Sequence, residues 1–264
     1  MGTIIVDNEN IKKHFENIIF NQDSSEIRKI VIASKSGKGK TSLIEYLKEQ
    51  CQPHNIPAIC FDFKFNELVS ELDLIDHIIY YLKDIYDCIN FEEYDNYISE
   101  YYEKGNSNII IKKVKIIQSK VGNITTPEHI APHFITKATS AFWRDFDNML
   151  SNKKIFLIFD SYEVAPDEIR KWIDRFILQK NLSKNRLFII LATIENKFFF
   201  NSMLSHDIQQ YFLPDYYELQ DWYRFGEEIH IPDTSIIDKY FNYYHGEPFK
   251  MCIALKPLGD FHEC

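Results

Sequence analysis

Glycine is scarce in this chain, with eight among 264 residues. Two of those eight, Gly37 and Gly39, stand among three lysines in "SKSGKGKT", so their placement needs a specific reason. Cysteine is sparse too. Cys51, Cys60, Cys88, Cys252 and Cys264 form no CxxC pair, and an odd count does not suit a disulfide framework. They read as buried or idle thiols in a reducing compartment. No apolar run is long enough to cross a bilayer, and "MGTIIVDNEN" has neither a basic start nor a long apolar middle. The expectation is therefore a cytoplasmic protein with no membrane association. Gly2 does not open a myristoylation signal, because Val6 stands where Ser or Thr is required. His129 and His133 have the spacing of a helical metal pair, but Pro132 interrupts that helix and no third ligand is evident, which argues against zinc.

Positive charge is also in short supply. Thirty basic against 39 acidic residues give a formal charge of −9, which argues against nucleic acid as a partner, since phosphate-backbone affinity needs a basic face. Lys112, Lys113, Lys115 and Lys120 make a local exception in a weakly alternating stretch. They read as protection of an edge strand against pairing, with nucleic-acid contact as the other reading.

What is present is an ordinary globular composition, 45% hydrophobic and 26% charged, with length for one α/β domain and a small appendage. Glu26 to Ser34 reads as a buried strand, and Lys40 to Cys51 as a helix with Leu43, Ile44, Leu47 and Cys51 on one side. "IPAICFDF" follows as a second strand. A mainly helical insert with a lysine hairpin fills about 64–153, including "LDLIDHIIYYLKDIYDCI" and "ATSAFWRDFDNML". "KKIFLIFD" is the clearest strand, and Ile169, Trp172, Ile173, Phe176 and Ile177 recur after it at helical spacing. "NRLFIILAT" repeats the strand signal. Strands separated by helices predict a mostly parallel sheet flanked by helices over 1–212. The pattern then changes to short helices, a small helical subdomain over 213–264.

"SKSGKGKT", Ser34 to Thr41, matches the phosphate-binding loop GxxxxGK[ST] at every fixed position but the first, where Ser34 replaces Gly. Backbone N–H groups that wrap phosphate oxygens must approach the ligand closely, and Gly37 and Gly39 permit both that approach and unusual dihedrals. The helix that follows aims its N-terminal dipole at the same anion. Ser36, Gly37, Lys38, Gly39, Lys40, Thr41 and Ser42 are the nucleotide-binding candidates. Lys40 supplies the ammonium for the β- and γ-phosphates, and the Thr41 hydroxyl suits Mg²⁺. The Lys35 and Lys38 side chains are expected to face solvent.

Chemistry at the γ-phosphate needs a second carboxylate on the metal side and a group that orients water. In "KIFLIFDSYE", Asp160 ends an apolar strand, the Walker B geometry, as a metal candidate, and Glu163 follows on the turn as the group polarising water. At the end of the next strand, Thr193 reads either as a γ-phosphate sensor with Asn196 nearby or as a plain strand-end threonine.

Together, "SGKGKT", "FLIFDSYE", "RLFIILAT" and "YHGEPFKM" resemble the STAND class of AAA-related P-loop ATPases, the group containing the NACHT and NB-ARC domains. The stretch "SAFWRDFDNML…IFLIFDSYE" is also similar to bacterial ATP-binding proteins of antiphage defence. The resemblance implies ATP or ADP with Mg²⁺, a helical subdomain whose Gly246 and Pro248 close over the nucleotide, and an ADP-bound inactive form that ATP exchange releases for oligomerisation. It also implies an effector or sensor protein as partner, and a homo-oligomer. The sequence departs from the class at "VDNEN", where relatives often have an arginine-containing box, and at "IENK", where no sensor arginine follows Thr193. Sixteen residues follow Pro248, so sensor and effector parts are expected on a partner chain or on a longer polypeptide.

The function expected is that of a slow regulatory ATPase acting as a nucleotide-dependent switch. Two other classes compete with it: a non-hydrolysing module in which bound nucleotide is structural, and an AAA-type nucleic-acid motor. A small-molecule kinase ranks lower for want of an arginine-rich lid segment. The absence of an NKxD motif agrees with adenine over guanine.

Overall fold

A computed structural model of the chain describes residues 8–20, 28–86, 89–105, 132–150, 154–179, 186–194, 208–215 and 217–259. The lysine hairpin, His129, Asn196, Cys88 and Cys264 lie outside them. Five strands, β1 (Lys29–Ala33), β2 (Ala58–Asp62), β3 (Ile155–Asp160), β4 (Leu187–Thr193) and β5 (Ile208–Phe212), form one sheet in the order β2-β3-β4-β1-β5. Every pairing is parallel. Because β4 stands between β1 and β3, the tip of β4 lies between the strand that feeds the glycine-rich loop and the strand that ends in Asp160.

Every residue of β1, β3 and β4 is buried, as parallel strands covered on both faces require. Successive side chains alternate across the sheet. On one face Ile30, Ile32, Phe156, Ile158, Phe188 and Ile190 pack against two helices. The first, α1 (Glu9–Phe20), contributes Ile11, Phe15, Ile18 and Ile19. The second, α2 (Lys40–Cys51), contributes Leu43, Ile44, Leu47 and Cys51, the stripe expected from its spacing. Each large side chain so buried stabilises the fold by roughly 1.5–3 kcal/mol over leaving it in water.

Two elements were not foreseen. The residues of α1 follow a helical period, but the segment is short and strongly polar between its apolar positions. The edge strand β5, IQQYF, is only partly buried, so neither a continuous apolar run nor a clean alternation marks it.

The chain divides into two compact units. The sheet and the C-terminal residues fall in one; the other comprises 68–153 and 166–177. In the second unit α3 (Glu71–Ile85) starts at a capping box, with Ser70 and Asp73 satisfying each other's backbone N–H. Helices α4 (Glu92–Gly105) and α5 (Pro132–Met149) meet through an aromatic cluster of Phe91, Tyr94, Phe142 and Phe146. Trp172 of α6 (Asp167–Ile173) donates to Thr139 Oγ1 at 2.8 Å. The helix expected through Ile177 changes at Asp174 into one π-helical turn ending at Leu178.

Three short helices close the described chain: α7 (Leu219–Glu228), α8 (Ser235–Tyr244) and α9 (Pro248–Leu255). They share their own core of Trp222, Phe225, Ile237, Met251 and Leu255. Gly246, between α8 and α9, has φ +71°, and a Cβ there would lie 2.4 Å from the Tyr217 carbonyl oxygen. Only glycine suits that turn. The architecture is an α/β P-loop NTPase fold, a parallel sheet flanked by helices, with a small helical C-terminal subdomain.

Candidate functional site

The loop from Ser34 to Gly39 leaves the C-terminal end of β1 and enters α2. The Ser34 amide donates to the Thr193 carbonyl at 3.2 Å, which ties the start of the loop to the tip of β4. Ser34 Oγ donates to the Lys35 carbonyl at 3.1 Å, so the serine in the first motif position satisfies a backbone group of the loop it opens. Gly37 and Gly39 adopt φ +76° and +87°, left-handed values that explain two of the few glycines. Gly39 is the N-cap of α2, and no side chain caps that helix end. Uncapped N–H groups at a helix start, opening onto an exposed loop, make an anion-binding surface.

Lys40 folds back over this loop. Its ammonium donates to the Ser34 carbonyl at 2.8 Å, the Lys35 carbonyl at 2.9 Å and Ser34 Oγ at 3.2 Å. Burial lowers the Lys40 pKa below its ordinary value, while the negative charges of Glu163 and Asp160 oppose that shift. Both carboxylates therefore act on the lysine ammonium. Ser36, Thr41 and Ser42 are exposed along the same surface.

Thr41 Oγ1 donates to Asp160 Oδ2 at 2.8 Å, across 119 positions of sequence. The other Asp160 oxygen accepts the Ser161 amide at 2.7 Å. Asp160 is 2% exposed, and burial raises its pKa; the two hydrogen bonds work against that rise, and Asp62 adds to it. Asp62 ends β2 in register with Asp160. A buried carboxylate touching a threonine hydroxyl supplies the hard oxygen donors that Mg²⁺ prefers, so these two residues fit that ion.

Ser161 takes φ +57°, a left-handed value rare outside glycine, and bends the chain out of β3. The short turn Tyr162–Val164 that follows carries Glu163 back toward the strand tips. Glu163 Oε2 accepts the Ile194 amide at 3.2 Å, one residue beyond β4. Thr193 is fully buried, and its hydroxyl has no hydrogen-bond partner among the described residues. Sequence alone left the sensor and strand-end readings of Thr193 open. An unsatisfied buried hydroxyl costs about 1–3 kcal/mol, a cost that Trp222 Nε1 in the core of the C-terminal helices also bears, so it does not by itself choose between the two readings.

Lys38 overturns one expectation. Its side chain was read as facing solvent, yet the residue is only 8% exposed. The ammonium donates to the Asp215 carbonyl at 2.7 Å and lies 3.6 Å from Glu247. Lys35, which is exposed, pairs with the Asp215 carboxylate. Acceptors from residues far along the chain cover the loop, and no local pattern discloses them. Glu247 also caps α9, accepting the Lys250 amide at 3.2 Å, and buried Pro248 takes the first helical position. A Cβ on Gly37 would lie 3.7 Å from Phe249 Cβ, so the start of α9 borders the loop. The helical subdomain thus reaches the phosphate loop through Glu247 to Phe249, beside the Pro248 singled out by sequence.

No protein-family model matches the chain, and no curated protein does. Among solved structures it is similar to a signal-transduction ATPase with numerous domains and a tetratricopeptide-repeat sensor from Pyrococcus horikoshii, at 10% identity and a TM-score of 0.42. It is similar to Aeropyrum pernix ORC1 in complex with DNA, at 9% identity and 0.42, and to a Thermotoga maritima RuvB variant, at 11% and 0.41. The matches cover 94%, 94% and 93% of this chain, but only 29%, 58% and 59% of those proteins. Similarity this distant transfers no residue role and no partner.

Among the described residues, no helix is long and apolar enough to cross a membrane.

Proposed function

We propose that this chain is a STAND-type regulatory ATPase, a switch that binds ATP or ADP with Mg²⁺ and thereby controls the assembly or activation of a partner effector, in bacterial antiphage defence. The contact between Thr41 and Asp160 carries the reading, because it brings the loop's hydroxyl and the acidic strand tip to one point. In this account the N–H groups of Ser36 to Ser42 and the Lys40 ammonium hold the phosphates. Thr41 and Asp160 would hold Mg²⁺, which when bound neutralises phosphate charge. Glu163 accepts a proton from the attacking water as that water's oxygen bonds to the γ-phosphorus. The bond to the bridging oxygen breaks, and ADP leaves with its electron pair. Thr193 senses the γ-phosphate, and Pro248 closes over the nucleotide. Switching draws on the difference between the affinities of two conformations for ATP and ADP, so equal binding to both would switch nothing.

One observation favours a second reading, a non-hydrolysing module. The Glu163 carboxylate is already engaged by the Ile194 amide, which would hold it away from a water. A nucleic-acid partner is tested by DNA stimulation of turnover.

Steady-state phosphate release and equilibrium nucleotide binding separate these readings. Lys40→Ala should abolish Mg-ATP binding. Glu163→Gln should bind as the wild type does and release phosphate about 10²-fold or more slowly. Wild-type binding without any release supports the structural-nucleotide module instead.

A further inference from the structure

Catalysis of phosphoryl transfer generally enlists a cation beyond the P-loop lysine. Of the loop's own lysines, Lys35 is paired with Asp215, Lys38 with Asp215 and Glu247, and Lys40 with loop carbonyls. A different lysine stands on the opposite flank. β2 and β3 are neighbours, Asp62 is in register with Asp160, and the Phe63 amide extends that ladder by donating to the Asp160 carbonyl at 3.1 Å. Lys64 comes next. Its backbone is fixed by a tight turn in which the Lys64 amide donates to Asp62 Oδ1 at 2.9 Å and the Phe65 and Asn66 amides donate to the Asp62 carbonyl at 3.0 and 2.9 Å.

The backbone of Lys64 is therefore held, while its ammonium is exposed and makes no hydrogen bond or ion pair among the described residues. Neighbouring strands lie about 4.8 Å apart, a gap that an extended lysine arm spans. A fixed base with a free charged end suits a group that engages only when negative charge arrives beside the tips of β2 and β3.

We propose that Lys64 is a catalytic cation, supplied by the chain itself, whose ammonium contacts the γ-phosphoryl group of bound ATP and stabilises the charge spread over its oxygens as the bond to ADP breaks. This rests on the ATPase reading above. Lys64 then does in cis what an arginine does in related reactions, from the β2 flank of the metal side.

The test compares wild type, Lys64→Met and Lys64→Arg in single-turnover hydrolysis and in the binding of two probes, Mg-ATP and Mg-ADP with aluminium fluoride. Lys64→Met should lower the hydrolysis rate constant by about 10²- to 10³-fold and weaken aluminium fluoride complex binding by a similar factor. Its affinity for Mg-ATP should stay within about twofold, and Lys64→Arg should recover most of the rate. Equal loss of both probes would make Lys64 a ground-state phosphate contact and overturn the proposal. So would wild-type rates in Lys64→Met. If the wild type neither hydrolyses ATP nor binds the aluminium fluoride complex, the ATPase reading itself fails and takes this proposal with it.

Discussion

Asp160 is a carboxylate kept in an environment that resists its charge. Burial at 2% exposure raises its pKa, and the Thr41 hydroxyl, the Ser161 amide and the Lys64 charge work against that rise. A carboxylate perturbed by burial in this way is a functional-site candidate. Asp160→Asn should therefore keep or raise the melting temperature of the nucleotide-free protein. It should lose most of the further rise that the wild type shows on adding Mg-ATP, which differential scanning fluorimetry reads directly. A large drop in apo stability would instead make Asp160 a structural hydrogen-bond acceptor. Much of this site was legible beforehand. Gly37, Gly39, Lys40 and Thr41 follow a fixed spacing, and Asp160 ends an unmistakable apolar run. The burial of Lys38 and the placement of Lys64 were not legible, because Lys38 stands at a variable position of the motif and Lys64 lies outside any motif. Their settings are made by residues far along the chain, Asp215 and Glu247 for one and Asp160's strand for the other.

The strongly apolar strands and α2 could be read from sequence because burial on two faces, or on one stripe, writes itself into local pattern. The edge of the sheet could not. There β5 is paired on one side to β1 and half-exposed, so its sequence looks like neither a core strand nor a loop. His14 of α1 bonds through Nδ1 to the Tyr211 hydroxyl of β5, linking two elements that sequence missed. Burial holds the His14 pKa below its ordinary 6.5. The unfolded chain thus binds a proton at His14 more readily than the folded one. The stability this provides is complete above pH 6.5 and is lost as pH falls toward the lowered folded value. His14→Gln, neutral throughout, should flatten the decline of melting temperature between pH 7.5 and 5.5. Parallel declines in wild type and variant would show that His14 does not titrate differently in the two states.

At the scale of the whole molecule, charged contacts tie the C-terminal helices to the glycine-rich loop. The Lys38–Glu247 pair is largely withdrawn from solvent, with side chains 10% and 19% exposed, so salt screens it less than a surface pair. Glu247→Gln removes the charge and keeps an oxygen able to cap α9. In the switch proposed here, this variant should release a fluorescent ADP analogue about fivefold faster than wild type in stopped-flow displacement, the effect of ~1 kcal/mol. An unchanged release rate would mean that the subdomain does not gate exit. The Lys35–Asp215 pair is more exposed and matters less.

Asp215 stands three residues past the end of β5, where the backbone departs from the sheet toward α7. Lys35 takes its carboxylate and Lys38 its carbonyl. Two arms of the phosphate cradle are thereby clamped to the root of the C-terminal helices. Mechanical pull applied to those helices by any binding protein would arrive at the loop through Asp215 at their root and through Glu247 at the start of α9. By reciprocity, a nucleotide that tightens the cradle would stiffen the grip on that root.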